Sequence, residues 1–230
     1  MADATGSVNE EHLISELQAR ADPAGRPVII LIAGAETNGS PSCRALVLTK
    51  QGLAGTDTRF VPRRSELYSR NTGILETSVL ADKNVVIVGL GSGGSPVALE
   101  LARSGVGHFM LIDFDRLELG NISRHVCGIS DLGRFKTHAV RDQILQKNPF
   151  ADVKTMEVNV NQALSQVEEA VGASDLLICA SDNDQSRFNL NQMSLNNKVV
   201  ALYGRAITRA AGGDVLRVRP WKGPCYNCVF

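Results

Sequence analysis

Neither charge is in excess in this sequence, no apolar run reaches membrane length, and neither a cysteine framework nor an internal repeat is present. Lys plus Arg and Asp plus Glu number 24 each in 230 residues, so nothing global favours nucleic acid or an anionic membrane surface. Any partner must therefore be read from local sites. The opening residues, MADATGSVNEEHLISEL, are acidic and amphipathic where a secretory leader would be basic and then apolar. A cytoplasmic protein with no nucleic-acid and no membrane partner is the expectation. The five cysteines, Cys43, Cys127, Cys179, Cys225 and Cys228, are odd in number and irregularly spaced, which fits reduced thiols plus one local pair better than a disulfide scaffold. The GxxxxGK[ST] loop of P-loop nucleotidases is also missing.

What is there is centred on residues 85–125, VVIVGLGSGGSPVALELARSGVGHFMLIDFDRLELGNISRH. Residues 85–88 form an unbroken, mostly β-branched run, as expected of a parallel strand buried on both faces. Gly89, Gly91 and Gly94 follow at the G-x-G-x-x-G spacing, and a helix is predicted to begin near Ser95 or Pro96. Glycines there allow a tight turn and close approach of backbone to a phosphate, while the helix N-terminus offers its amides. Val97, Leu99, Leu101 and Ala102 make one apolar helical face, and Gly105-Val106-Gly107 breaks the helix before a second strand at 109–112. Asp113 ends that strand about twenty residues past the last glycine, where a carboxylate accepts hydrogen bonds from a ribose.

The remainder reads as one large α/β domain with a small appendage, and a 43% hydrophobic content suffices for its core. Residues 10–20 are predicted as an amphipathic helix, and 28–33 and 45–48 as strands of a hairpin outside the nucleotide domain. Cys43 has no nearby His or Cys and reads as an incidental thiol, while 56–64 reads as a linker. Residues 66–80 look helical in parts, with Leu67, Leu75 and Leu80 inward; Arg70 alone reads as a surface arginine. After Asp113, the runs containing Asn121, Arg124 and Lys136 offer an amide, a guanidinium and an ammonium beside a phosphate-suited turn, more cations than hydride transfer needs. A helix at 137–146 with Ala139, Val140, Ile144 and Leu145 inward is followed by a strand at 153–160, a helix at 162–171 and a strand at 176–180. Asp182 ends that strand and suits Mg²⁺ bridging phosphates, although it equally suits the N-cap of a helix at 185–191. Strands at 199–203 and 213–218 precede Cys225 and Cys228. Buried Cys179 reads as packing, and Cys127 lacks a visible activating partner.

Together GLGSGGS, LARSGVG, LIDFD, NISRH, GRFK, SDNDQSR and PCYNC, in this order and spacing, resemble the ubiquitin-activating-enzyme-like adenylyltransferases of the MoeB, ThiF and HesA type. The resemblance covers roughly residues 67–228. It implies an α/β fold: a Rossmann-like, mostly parallel sheet with helices on both faces, here with a small N-terminal α+β appendage. It implies an enzyme that uses ATP and Mg²⁺ to adenylate the C-terminal glycine of a small ubiquitin-fold or sulfur-carrier protein ending in Gly-Gly, with release of pyrophosphate. Position by position it assigns Gly89, Gly91, Ser92 and Gly94 to the phosphate loop, Asp113 to the ribose and Asn121 and Arg124 to the phosphates. Lys136 would stabilise the α-phosphate during attack and Asp182 would hold Mg²⁺, with Asn183 and Arg187 supporting that segment. Arg70, in LYSRN, matches an arginine that reaches into a partner's ATP site, which implies a homodimer. Cys225 and Cys228 resemble half of a four-cysteine Zn²⁺ site.

Some positions depart from the family pattern. Ser92 and Gly93 alter the glycine loop, and His125 stands where glutamine is frequent. Residues 1–60 match none of the smaller members and are expected to be an accessory segment, read as the end of a JAB-type domain. Residues 61–230 are expected to be the adenylation domain, truncated at its C-terminus before a second cysteine pair and any thioester-forming cysteine. The alternatives are a tRNA threonylcarbamoyl-adenosine dehydratase on the same machinery, the inactive scaffold half of a heterodimeric activating enzyme, and, more remotely, a nicotinamide dehydrogenase. Scaffold halves usually lose charged site residues, and Arg124, Lys136 and Asp182 all remain.

Overall fold

The computed structural model describes residues 28–35, 41–49, 52–56, 63–71, 73–206 and 211–230. The expected helix at 10–20 lies outside them, as do most of the expected linker and the Cys43 side chain. Residues 1–61 and 62–230 form two compact units. In the first, β1 (Val28–Ala35) and β2 (Pro41–Thr49) pair antiparallel as the expected hairpin. A third strand, β3 (Gly52–Thr56), adds to β2 although GLAGT gives little strand signal.

The second unit is built on a six-stranded sheet: β4 (Asn84–Val88), β5 (His108–Ile112), β6 (Asp152–Met156), β7 (Leu176–Cys179), β8 (Val200–Ala206) and β9 (Gly213–Val218). Its spatial order is β6-β5-β4-β7-β8-β9, parallel throughout except for the antiparallel edge strand β9. The chain leaves β4 in one direction across the sheet and returns at β7 to continue in the other. Such a reversal opens a crevice at the carboxyl ends of the two central strands.

Both faces of the sheet are covered, which is why β4 carries no polar alternation. Val85 and Ile87 join Phe109 and Leu111 under helices α3 (Gly94–Ser104) and α4 (Lys136–Lys147). Val86 and Val88 join Leu177 and Cys179 under α5 (Leu164–Gly172) and α6 (Asp184–Asn197). Two short helices, α1 (Arg64–Leu67) and α2 (Thr77–Ala81), precede β4, and α7 (Tyr226–Val229) follows β9. No helix among the described residues is long and apolar enough to cross a membrane.

Several sequence expectations are displaced. The third strand of the parallel sheet stops at Met156, not at 160, and residues 158–161 turn to line the crevice. Glu157 is drawn aside there by Thr137, whose Oγ1 donates to Oε1 at 2.6 Å. Helix α6 continues to Asn197 instead of ending near 191, despite poor helix formers in NLNQMSLNN. Tertiary contacts override propensity: Leu190 and Met193 are buried, and Ser194 Oγ donates to Val199 O at 2.6 Å. Val97, Leu145, Leu67 and Leu75 are exposed, whereas Ala98, Leu99 and Ala102 face the core as a contiguous stripe. Tyr68, not Leu67, anchors the entry segment, donating its hydroxyl to Ala102 O at 3.1 Å. Leu80 does pack against the core.

At the start of α3 the backbone passes so close to the glycine turn that a Cβ on Gly94 would lie 1.9 Å from Gly89 O. At Gly91 a Cβ would meet no atom of the described residues within 4 Å. Gly94→Ala should therefore destabilise folding by about 1–3 kcal/mol in urea melts, while Gly91→Ala should stay within about 0.5 kcal/mol of the parent. Equal losses would contradict this division between a packing glycine and an open one.

Candidate functional site

The crevice at the carboxyl ends of β4 and β7 is a cleft of about 1070 Å³. Its floor is the glycine turn. Gly89 has φ +85°, and a Cβ there would lie 2.8 Å from the Ala180 backbone, so the turn is pressed against the end of β7. Leu90 is fully buried, and its amide donates to Asp113 Oδ2 at 2.7 Å. The other oxygen of Asp113 accepts from the Asp115 amide at 2.8 Å. Asp113 thus ties the loop after β4 to the loop after β5 while still lining the cleft, and a carboxylate has about four lone-pair sites, so acceptor capacity remains for a ligand. Burial pushes its pKa up, opposed by those two amides.

Helix α3 starts at Gly94, just before the expected Ser95 or Pro96, and Ser95 Oγ donates to Gly91 O at 2.7 Å. This hydrogen bond holds Gly91, Ser92 and Gly93 along the cleft wall. A six-residue 3-10 helix, Leu119–Arg124, delivers Asn121 and Arg124 to the same cleft. Asn121 Oδ1 accepts from the Glu118 amide at 3.0 Å, and this leaves its NH₂ as the group available to a ligand. Arg124 is exposed and has no ion-pair partner among the described residues. Lys136, the first residue of α4, is nearly buried and donates from Nζ to Asp115 Oδ2 at 2.6 Å. Asp115 therefore aims the ammonium.

At the end of β7, Asn183 is the N-cap of α6, its Oδ1 accepting from the Ser186 amide at 2.9 Å. The capping role that the sequence leaves open for Asp182 thus falls to its neighbour. Asp182 is exposed in the cleft and makes no side-chain hydrogen bond among the described residues. One free carboxylate facing an open phosphate-sized turn fits the donor set Mg²⁺ takes when phosphate oxygens and waters supply its remaining ligands.

His125, in place of glutamine, is placed under the turn. Its Nδ1 accepts from the Cys127 amide at 3.1 Å, so Nε2 carries the proton and donates to Leu90 O at 2.6 Å. The replacement therefore supports the glycine loop from below. Beside it, Cys127 is buried and its thiol is pushed up to about 12 by burial and Asp131, which keeps it from acting as a nucleophile near neutral pH. Burial likewise pushes the Cys179 thiol up to about 11.

The cleft thus gathers Gly89, Gly91, Ser92, Asp113, Asn121, Arg124, Lys136, Asp182, Asn183 and Arg187. Gly94 lies behind the loop as a packing residue. Arg70 is exposed on the one-turn 3-10 helix Ser69–Asn71 and is not on the cleft wall of its own chain. Cys225 and Cys228 lie at α7 with their sulfurs 3.4 Å apart. Among the described residues no group of three or more His, Cys, Asp or Glu is assembled for a metal, so the two thiols alone do not fit a structural Zn²⁺, which takes four ligands. Asp115, Arg205 and Asp214 were not singled out by the sequence. Asp115 had a signal, two residues beyond Asp113. Arg205 and Asp214 face each other only because β8 and β9 pair antiparallel.

A doubly wound Rossmann-like domain with anion-binding groups at its switch point is the class these features define. The chain belongs to the ThiF family, whose model matches residues 65–230. A SAMP-activating enzyme E1 of Haloferax volcanii is 34% identical over 152 residues, covering 66% of this chain and 54% of that protein. The sulfur carrier protein ThiS adenylyltransferase of Escherichia coli is 31% identical over 156 residues, covering 66% and 59% respectively. Among solved structures, E. coli MccB with succinimide superposes with a TM-score of 0.63 at 26% identity, covering 70% of this chain and 51% of that one. The chain therefore spans little more than half the length of these relatives.

The imidazole offers a pH test. Burial holds the His125 pKa below its ordinary 6.5. Below pH 6.5 the unfolded chain binds a proton that the folded chain still refuses, so this group makes stability fall as pH falls through that range. His125→Gln, which removes the titrating ring, should flatten the stability profile below about pH 6.5 in urea melts. An unchanged slope would rule the ring out as its source.

Proposed function

We propose that this chain binds ATP with Mg²⁺ and adenylates the C-terminal carboxylate of a small ubiquitin-fold carrier protein ending in Gly-Gly, releasing pyrophosphate, and that it works as a cytoplasmic homodimer. The observation that supports this most is the meeting of an open glycine turn with three charged groups from three separate elements, Arg124, Lys136 and Asp182, in one cleft. The ThiS adenylyltransferase and the SAMP-activating enzyme supply the substrate class by likeness, and MccB, also solved with ATP, supplies the nucleotide. The dehydratase reading draws less support, because the E. coli TcdA structures, at 24% and 23% identity, share the fold alone. In this reading residues 61–230 are the adenylation domain and 1–60 an accessory segment.

In the reaction the carrier carboxylate attacks the α-phosphorus of ATP. A carboxylate-oxygen-to-phosphorus bond forms as the bond to the bridging oxygen of pyrophosphate breaks, and pyrophosphate takes the electron pair. An anion approaches an anion, so charge accumulates on the phosphoryl oxygens and fixed cations lower the barrier. Gly91 lets the backbone approach the phosphates, and Asn121 and Arg124 contact them. Lys136 exchanges part of its pairing with Asp115 for an α-phosphate oxygen. Asp182 would hold Mg²⁺, which would supply further charge neutralisation at the phosphates.

Loss of one preorganised cation should cost about 10²-fold or more in turnover, about 3 kcal/mol, in Lys136→Ala or Arg124→Ala. Carrier-dependent exchange of labelled pyrophosphate into ATP measures it, and near-parental exchange in Lys136→Ala would sink the chemistry. Asp182→Ala should weaken that Mg²⁺-dependent exchange without a change in unfolding midpoint. For Arg70, taken to act in the partner's site, mixing Arg70→Ala with Lys136→Ala should restore about one working site per mixed dimer. Verified mixed dimers that stay inactive would remove the trans role.

A further inference from the structure

Lys136 opens α4, and that helix begins without a capping side chain of its own. Phe135 stands at the N-cap and makes no side-chain cap hydrogen bond. A carboxylate arrives from the end of β6 instead. Glu157, the residue after that strand, lies beside the first turn of α4, where its Oε1 accepts from Thr137 Oγ1 at 2.6 Å and is 3.2 Å from His138 Nε2. Negative charge there meets the positive end of the helix dipole, so Glu157 does the work of a cap from twenty residues away. Thr137 is fully buried, and the Glu157 side chain is 26% exposed. Burial pushes the Glu157 carboxyl up, but hydrogen bonds from Thr137 and Thr155 hold it below its ordinary range, so it is ionised near neutral pH.

Lys136 is held twice by Asp115: its amide donates to Asp115 O at 3.0 Å, and its Nζ donates to Asp115 Oδ2 at 2.6 Å. When the ammonium turns to an α-phosphate oxygen, the second bond weakens. Its position then depends on the backbone that carries it, which is anchored by Asp115 O on one side and by the Thr137–Glu157 bond on the other. Thr137 is the next residue in the chain, so a shift there moves Lys136. A displacement of about 1 Å in a reacting group costs about 10²-fold in rate.

We propose that Glu157 is a positioning residue: by holding Thr137 it fixes the start of α4, and with it the Lys136 ammonium, at the moment the ammonium leaves Asp115 for phosphate. This rests on the adenylation reading above.

The test uses the full chain, pyrophosphate exchange into ATP, and a synthetic octapeptide ending in Gly-Gly as the carboxylate. Thr137→Val keeps the buried volume and removes the donor; it should lower the maximal exchange rate about tenfold with half-saturating ATP within about twofold. Glu157→Leu should match it, and Thr137→Ser, which keeps the donor, should recover the rate. In a Lys136→Ala background Thr137→Val should cost nothing further, because the group it positions is gone. With ¹⁵N-lysine in the chain, the Lys136 Nζ signal, assigned by its loss in Lys136→Arg, should move in Thr137→Val and Glu157→Leu and return in Thr137→Ser. A rise in half-saturating ATP at an unchanged maximal rate, an equal further loss in the Lys136→Ala background, or an unmoved signal beside normal exchange overturns the inference and spares the adenylation reading. A signal that moves in a protein giving no exchange supports the positioning and sinks the adenylation reading. Neither movement nor exchange overturns both.

Discussion

The hydrogen bond from the Leu90 amide to the Asp113 carboxylate holds the ends of the two strands that flank the glycine turn at a fixed separation. Everything in the cleft depends on it. A charge-assisted bond of this kind contributes about 1.5–3 kcal/mol, and here it also decides geometry, because the turn it anchors passes against the Ala180 backbone on the far side. His125 closes the arrangement by donating to the carbonyl of the same Leu90 whose amide Asp113 holds. With both backbone groups of one buried residue engaged, the loop is preorganised before any ligand arrives, which lowers the ordering cost that binding would otherwise carry.

Around that anchor the charged groups are held by two devices. Lys136 is aimed by a carboxylate on the neighbouring loop and keeps its position at the start of a packed helix. Asp182 makes no side-chain hydrogen bond among the described residues, and Asn183 takes the capping role beside it. Since a cap and a metal ligand compete for the same oxygens, the division between adjacent residues lets the helix begin normally while the acid faces the cleft. Membership of the ThiF family and the likeness to adenylyltransferases place this machinery in a known class.

Much was legible in the sequence because the signals are local. The apolar run before Gly89, the glycine spacing, the acid after β5 and the helix stop at Gly105 each rest on neighbours in the chain, and each falls within a residue or two of its expected place. Less legible were the length of α6, extended through an asparagine-rich stretch by contacts from β8 and α7, and the early end of β6, where Glu157 is claimed by a helix twenty residues earlier. The burial of Tyr68 in place of Leu67 and the exposure of Val97 and Leu145 also follow from which neighbour packs where.

By itself the sequence determined the strand–turn–helix unit, the family and the roster of charged residues, since dihedral preference, apolar periodicity and motif spacing act over a few residues. Only the tertiary structure decided which of those residues meet. It turned Gly94 into a packing contact, gave the cap to Asn183, set Arg70 away from the cleft of its own chain, and brought Arg205 to Asp214 across a hairpin. It also left Arg187 Nε buried without an acceptor among the described residues. The reason is physical: pairing across a parallel sheet joins residues distant in sequence, and the free energy of a buried charge is set by neighbours that no local pattern records.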